Sequence, residues 1–417
     1  MAAVFLAPLY ILVNLYIFRW IYLWAAVCFP FFENPAIRLC LIILYLTAST
    51  SLLTGFLIKK PLMLRRLLNI AGKFFLGAFM YILIIVFMAD AGRVILKYGI
   101  KLSWTQTKES FVLAGTACFL SVLLLCLYGF IHASRIKTKN YHVTIHKSVP
   151  GMASLRIILI ADFHFGFCSG LNHARKIVEK INEQQADLVC IAGDIFDNEY
   201  DAVFCPDELQ AVLKTIQSTY GVYACWGNHD LSEPILAGFT FRRNSSDIED
   251  PRMESFLKNS GIQLLKEKAE LIHNSFYLVG REDPDRSEKL GSHRKTPAQL
   301  INKLDRGKPV IVLDHQPKEL KELSEAGADL DLCGHTHDGQ IFPGNLFTRL
   351  FWENSCGYLQ KGSMHNIVTS GAGIWGPAMR IGTDSEICVI HVSFNPAEEY
   401  HPDPEARKRP FSDNRPD

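Results

Sequence analysis

The sequence has little that would place it in several broad classes. It has almost no net charge, with 43 Lys and Arg against 42 Asp and Glu and a formal balance of +1. So even a balance gives no reason to expect nucleic acid as a partner. No CxxC pair occurs among the 11 cysteines, so zinc held by thiolates is not expected. Seven cysteines lie in the downstream part (Cys168, Cys190, Cys205, Cys225, Cys333, Cys356 and Cys388), an odd number with no regular spacing. Cys190, Cys225, Cys333 and Cys388 sit inside apolar strand patterns, where cysteine acts as a small buried hydrophobe. Unpaired thiols in this number favour a cytosolic location for that part. There is no glycine-rich phosphate loop and no internal repeat. No basic segment precedes the apolar N-terminal run and no small-residue cleavage site follows it closely, so a removable signal peptide is not expected.

Long hydrophobic runs are plentiful, and they are confined to the first third. Residues 3–28, 39–58, 68–89 and 111–132 are each long and apolar enough to span a bilayer, giving a four-helix membrane region over residues 1–133. Arg19 interrupts the first run. It reads either as a charge snorkelling from a tilted span or as a functional intramembrane group. Charge near the span ends sets the expected orientation. Lys59, Lys60, Arg65, Arg66, Arg135, Lys137 and Lys139 lie on the side shared with the C-terminus, seven against five for Arg38, Arg93, Lys97, Lys101 and Lys108. Basic residues gather on the cytoplasmic side, which puts the downstream domain in the cytoplasm, most simply at a plasma membrane.

After residue 134 the periodicity changes. Apolar runs of strand length, such as 155–161, 187–192, 309–313 and 329–333, alternate with helical patterns such as 171–182 and 318–326. This is the pattern of sheets covered by helices, over residues 134–395. Residues 396–417, charged and proline-rich, read as a disordered tail. Residues 281–296 read as a charged surface loop.

The strands stop at short polar clusters: Asp162-Phe163-His164, Gly193 to Asp197, Gly227-Asn228-His229-Asp230, Asp314-His315 and Gly334-His335-Thr336-His337. Their Asp, Asn and His side chains are the oxygen and nitrogen donors that suit hard or borderline divalent metals. Rigid strand ends are where such donors can be held in place while loops leave room for a substrate. Each cluster alone is weak, since an isolated histidine is more often a hydrogen-bonded core residue. Their joint occurrence in this order is specific.

In that order, DxH, GDxxD, GNHD, H and GHxH, the chain resembles the calcineurin-like metallophosphoesterase superfamily. CGHTHDGQIFP (333–343) and TSGAGIWGPAMRIGTDSEI (369–387) resemble a membrane-associated branch with UDP-2,3-diacylglucosamine hydrolases and transmembrane proteins bearing a metallophosphoesterase domain. The resemblance implies a four-layer α/β/β/α sandwich with two divalent metal ions, Mn, Fe or Zn. It implies Asp162, His164, Asp194 and His337 as ligands of one ion, and Asp194, Asn228, His315 and His335 as ligands of the other. A water between the ions would be the nucleophile, His229 the general acid and Asp230 the group that holds its ring. Asp197 would support the metal loop. Arg380 reads either as a phosphate contact, since a guanidinium fork suits phosphate, or as a surface arginine. Asp338 departs from the branch, which has glycine there, and would add a carboxylate beside the site. The expected activity is hydrolysis of a phosphodiester or pyrophosphate, with a lipid-linked substrate first and a soluble phosphoester second. A membrane sensor with a relict domain is the alternative of a different class. Membrane lipids are expected partners, and the oligomeric state is left open.

Overall fold

A computed structural model describes residues 2–236, 239–240 and 248–395. The tail expected at 396–417 lies outside the described residues.

The apolar runs form α1 (Ala2–Cys28), α2 (Pro35–Leu57), α3 (Leu62–Val94) and α4 (Lys108–Ala133). All four are long and apolar enough to cross a membrane. Local chemistry sets their starts. Asn34 caps α2 by accepting from Ala36 N, with Pro35 in the first turn, and Thr107 caps α4 by accepting from Ser110 N. Small residues let the helices meet. A Cβ on Gly72 would come within 2.6 Å of the Leu52 backbone nitrogen, so α3 and α2 touch backbone to backbone. The single acid of α3, Asp90, accepts from the Tyr16 hydroxyl at 2.6 Å and the Trp20 indole at 3.3 Å, which ties α1 to α3. Arg19 is exposed on α1.

The third expected span began at 68, but α3 begins at Leu62 and its apolar stretch continues to Gly99, 38 residues in all. Arg65 and Arg66 are therefore helical rather than part of the connection. Their side chains turn toward the downstream domain: Arg65 pairs with Glu199, and Arg66 lies 4.3 Å over the Phe204 ring.

Two six-stranded sheets follow. The first runs β1 (Ile136–Ile145), β14 (Ser385–Phe394), β2 (Ser154–Ile160), β3 (Leu188–Ala192), β4 (Val222–Cys225), β7 (Ile262–Leu264). The second runs β12 (Gly357–Lys361), β13 (Met364–Val368), β11 (Leu330–Cys333), β10 (Val310–Leu313), β9 (Phe276–Gly280), β8 (Lys268–Ile272). β5 (Ile235–Leu236) and β6 (Phe239–Thr240) make a small separate ribbon. The strands β2, β3 and β4 are parallel neighbours, as are β9, β10 and β11. Their C-terminal ends therefore lie side by side, and these are the ends that carry the polar clusters.

Alternating side chains divide the core into three layers. Ile158, Ile160, Val189 and Ile191 pack outward against α5 (Leu171–Asn182), α6 (Pro206–Leu213) and α7 (Pro251–Asn259). Ile157, Leu159, Leu188, Cys190, Ile311 and Leu313 fill the space between the sheets. Val279, Val310 and Val312 pack outward against α9 (Pro297–Ile301) and α10 (Leu320–Ala326). This is the expected four-layer sandwich, with α8 (Pro284–Leu290) beside it. Cys190, Cys225, Cys333 and Cys388 are buried and unpaired.

The expected surface loop at 281–296 is partly helical and charge-paired. Arg281 is buried against Asp314 at 2.6 Å, and Arg294 reaches the same carboxylate at 2.7 Å. Two elements fell outside the expected runs. β12 is a half-exposed edge strand, and α11 (Gly344–Phe351) holds Leu346, Phe347, Leu350 and Phe351 at its exposed surface.

Candidate metal centre

The backbone must bend sharply where the strands end, and several site residues take left-handed φ values to do it: Asp162 at 59°, His164 at 46°, Asp194 at 52°, His335 at 73° and His337 at 50°. Such conformations are uncommon for non-glycine residues and gather where surrounding structure dictates side-chain aim. The glycines of the motifs answer close approach. A Cβ on Gly227 would lie 2.2 Å from Asp194 Oδ1, and one on Gly193 would lie 2.7 Å from His315 Nδ1.

The seven residues expected as ligands converge. His164 Nε2 and His337 Nε2 face each other at 3.0 Å, and His337 Nε2 is 3.9 Å from Asp162 Oδ1. His335 Nδ1 faces His315 Nε2 at 3.1 Å, and Asn228 Oδ1 lies 2.9 Å from His335 Nδ1 and 3.1 Å from His315 Nε2. Asp194 stands between the two groups. Its Oδ2 is 3.2 Å from His315 Nε2 and 3.7 Å from His164 Nε2. Its Oδ1 accepts from the His229 main-chain N–H at 2.8 Å.

These donors fit divalent cations. His315 Nδ1 donates to the Ala192 carbonyl at 2.7 Å, which leaves Nε2 aimed at the centre. Burial pushes His164 down to about 4 and His335 down to about 3. Burial, with His164 and Arg380 nearby, also holds His337 well below the imidazole range. All three are therefore neutral at pH 7, the form that ligates metals. Burial raises Asp162 to about 8, with the neighbouring Asp194 adding to the shift. Burial opposes ionisation of Asp194, but His315 and His229 outweigh it and hold the carboxyl well below its usual range. His315 is correspondingly held well above its usual range, because Asp194 outweighs burial. Divalent cations would provide the positive charge that this buried donor set otherwise draws from His315.

His164, Asp197 and His229 also lie within ligand reach of one another. A cation among them would meet the Lys73 ammonium, which already pairs with Asp197 Oδ2 at 2.7 Å. Burial pushes the Asp197 carboxyl up, but Lys73 and His164 outweigh it and hold it below the usual range.

The expected partner of His229 is different from the one found. Asp230 accepts from Phe196 N at 2.9 Å and Gly227 N at 2.8 Å, so it braces two site loops. The His229 ring is instead held through Nδ1 by the Asn198 side-chain oxygen. Burial lowers His229 below the usual imidazole range, against the opposite pull of Asp194 and Asp197. Asn198 had a weak signal, lying one residue beyond the GDxxD pattern. Lys73 had none, being 124 residues from its partner.

Arg380 is fully buried behind the centre, with Nη2 3.4 Å from His337 Nδ1. Its guanidinium donates to the carbonyls of Ser370 at 2.7 Å, Gly373 at 2.9 Å and Asp384 at 2.6 Å. Its main-chain N–H donates to the Gly129 carbonyl of α4 at 3.0 Å. These carbonyl contacts anchor the 370–373 loop, which packs behind Asp162. Asp338 has a φ of 47°, the conformation that suits the glycine of the related branch. It falls in none of the metal-ligand groups found among the described residues. Burial raises its carboxyl, and Arg349 and Lys139 oppose that.

Comparison with known proteins agrees with this geometry. The family described as "Calcineurin-like phosphoesterase" matches residues 155–339. An "Uncharacterized metallophosphoesterase" of Helicobacter pylori is 32% identical over 57% of this chain and 60% of its own length. The chain thus spans less than two thirds of that relative. A "Transmembrane protein with metallophosphoesterase domain" of Danio rerio is 28% identical over 76% of this chain and 71% of its own length. The "UDP-2,3-diacylglucosamine pyrophosphatase LpxG" of Chlamydia trachomatis is 23% identical over 69% of this chain and 100% of its own length. Together with the four apolar helices, these relatives make this a membrane protein that carries a calcineurin-like metallophosphoesterase domain.

Proposed function

We propose that the protein is a membrane-anchored, two-metal phosphoester hydrolase. The observation that carries this reading is the position of Asp194 Oδ2, one oxygen within 3.7 Å of both His164 Nε2 and His315 Nε2. A shared anionic oxygen is what two mutually repelling cations need between them. Asp162, His164, Asp194 and His337 would hold one ion, and Asp194, Asn228, His315 and His335 the other. The ions, Mn, Fe or Zn, would supply charge neutralisation on the phosphoryl oxygens and a more acidic water.

His229 acts from its imidazolium form: Nδ1–H donates to the Asn198 side-chain oxygen, which fixes the ring, and the Nε2 proton passes to the leaving-group oxygen, leaving a neutral imidazole. Asp230 and Arg380 act as positioning groups, one bracing the 196 and 227 loops and the other the 370–373 loop. The substrate we favour is a lipid-linked phosphodiester or pyrophosphate. The four spans and the printed activity of the Chlamydia relative support it. We place the boundary of the catalytic domain at residue 134, where α4 has ended and β1 is about to begin.

The test is turnover by the full chain in lipid nanodiscs. Chelation should abolish hydrolysis of an aryl phosphodiester and of head-group-labelled lipids, and Mn²⁺, Fe²⁺ or Zn²⁺ should restore it. No turnover with any of the three metals would overturn the reading. Asn198→Ala should leave metal content unchanged and lower turnover about 10–100-fold, the usual worth of a group that orients a functional side chain. An unchanged rate would show that His229 needs no such support.

We place the catalytic domain in the cytoplasm, at a plasma membrane. The basic residues near the span ends support this side. Lys321, whose side chain is 71% exposed, is a suitable reporter position. Lys321→Cys in a Cys40→Ser background should resist an impermeant thiol reagent in intact cells and react after permeabilisation. Reaction in intact cells would place the domain outside.

A further inference from the structure

A cavity of about 300 Å³ lies between the metal centre and the membrane helices. One wall is apolar and comes from the spans: Leu52 and Phe56 of α2 and Leu76 of α3. The opposite end is polar and comes from the site: Asp197 and Asn198, with Trp375 beside them. Both ends belong to one space with the chemistry. Asn198 holds the His229 ring, the Trp375 ring lies 5.8 Å from it, and Asp197 lies 3.9 Å from His164.

Two charges on α3 line the same cavity. Arg65 and Lys73 are eight positions apart and so share a helix face. Charges on a membrane-spanning helix are expensive and commonly mark a functional path. Here they pair with carboxylates of the site loop: Arg65 with Glu199 at 2.6 Å and Lys73 with Asp197 at 2.7 Å. Fastening the loop to the helix explains the pairs. It does not explain why an open, apolar-walled space remains beside them. Outside the cavity, the same helices expose Leu53, Leu57, Leu62, Leu64 and Leu67. The apolar wall is therefore continuous with the surface that faces hydrocarbon.

We propose that this cavity is a lipid subsite: an apolar chain enters from the bilayer against Leu52, Phe56 and Leu76, and Lys73 meets the anionic head as it reaches the metal centre. The chemistry that fits is a single alkyl or acyl chain carried on a phosphoester. A volume at the low end of ligand pockets holds the part of a chain nearest the head, leaving the rest in the membrane. The proposal rests on the hydrolase reading only for the reaction that follows binding.

The experiment uses the full chain in phosphatidylcholine vesicles with Mn²⁺. A dodecyl phosphonate monoester with a diazirine in its chain is photolysed, and the labelled peptides are identified. Labels are expected on the peptides that carry Leu52, Phe56 and Leu76. Leu76→Trp, which fills the cavity, should lower that labelling at least about fivefold, and Leu76→Ala, which widens it, should preserve it. Opposite responses at one position do not arise from misfolding. In parallel, kcat/KM is compared for the dodecyl and methyl 4-nitrophenyl phosphodiesters. The ratio should favour dodecyl by about tenfold or more, a size that binding of several methylenes readily supplies. Leu76→Trp should bring the ratio near one. Cavity labelling without hydrolysis of either ester would overturn the hydrolase reading and leave the lipid subsite standing. Hydrolysis with no chain-length preference and no labelling in the cavity would do the reverse.

Discussion

Asp194→Asn is expected to abolish turnover and to empty the metal centre. The substitution keeps shape and removes charge. In the native arrangement Asp194 Oδ2 faces His164 and His315 together, while Oδ1 accepts from His229 N. An amide could still accept one hydrogen bond but offers neither group an anionic oxygen. The neighbouring donors are mostly neutral imidazoles, so the lost charge is a large share of what attracts a second cation. Metal content per chain, measured after desalting, should fall by at least one ion, and activity should fall to background. The spans should fold as before, because no part of α1 to α4 touches Asp194 through a described polar contact. Full metal occupancy in this variant would sink the two-ion assignment.

His229→Ala should act differently. Metal content should be retained, and turnover should drop about 10²–10⁴-fold, the usual worth of a general acid. The loss should shrink with the pKa of the leaving group, because nitrophenolate departs without a proton and an alkoxide does not. Equal losses across a series of leaving groups would show that His229 is not the donor. Asn198→Ala should reproduce the leaving-group dependence in weaker form, since it disturbs the same ring.

Much of the metal centre was legible because its donors are local. Asp162 and His164, Asn228 and His229, His335 and His337 lie within short words, each placed at a strand end by the apolar run before it. Periodicity pointed to sheets covered by helices, since runs such as 155–161 read as buried strands, and the four-layer sandwich followed from the resemblance. What escaped was set by distance or by competition for partners. Asp230 sits beside His229 in sequence, yet two backbone N–H groups claim its carboxylate and leave Asn198 to hold the ring. Arg380 read as a phosphate contact or a surface arginine, and it is buried with its guanidinium on the carbonyls of Ser370, Gly373 and Asp384. Lys73 looked like a charge near the end of a span. Only folding brings it to Asp197. The edge strand β12 is short and half exposed, and α11 carries Leu346-Phe347 and Leu350-Phe351 at helical spacing but in a short element.

The grip of α3 and α4 on the catalytic layer bears on how this protein can be handled. Met379 and Ile381 sit where Gly77 and Gly129 leave room, and the Ser385 hydroxyl donates to the Ala133 carbonyl at 3.0 Å. Arg65 and Lys73 hold the segment that runs on from Asp194. A fragment starting at residue 134 would shed all of these at once. Glu199 and Asp197 would lose their cations, apolar side chains would be wetted, and the loop that presents Asn198 would be released on one side. Constants taken from such a fragment would describe a looser molecule than the full chain.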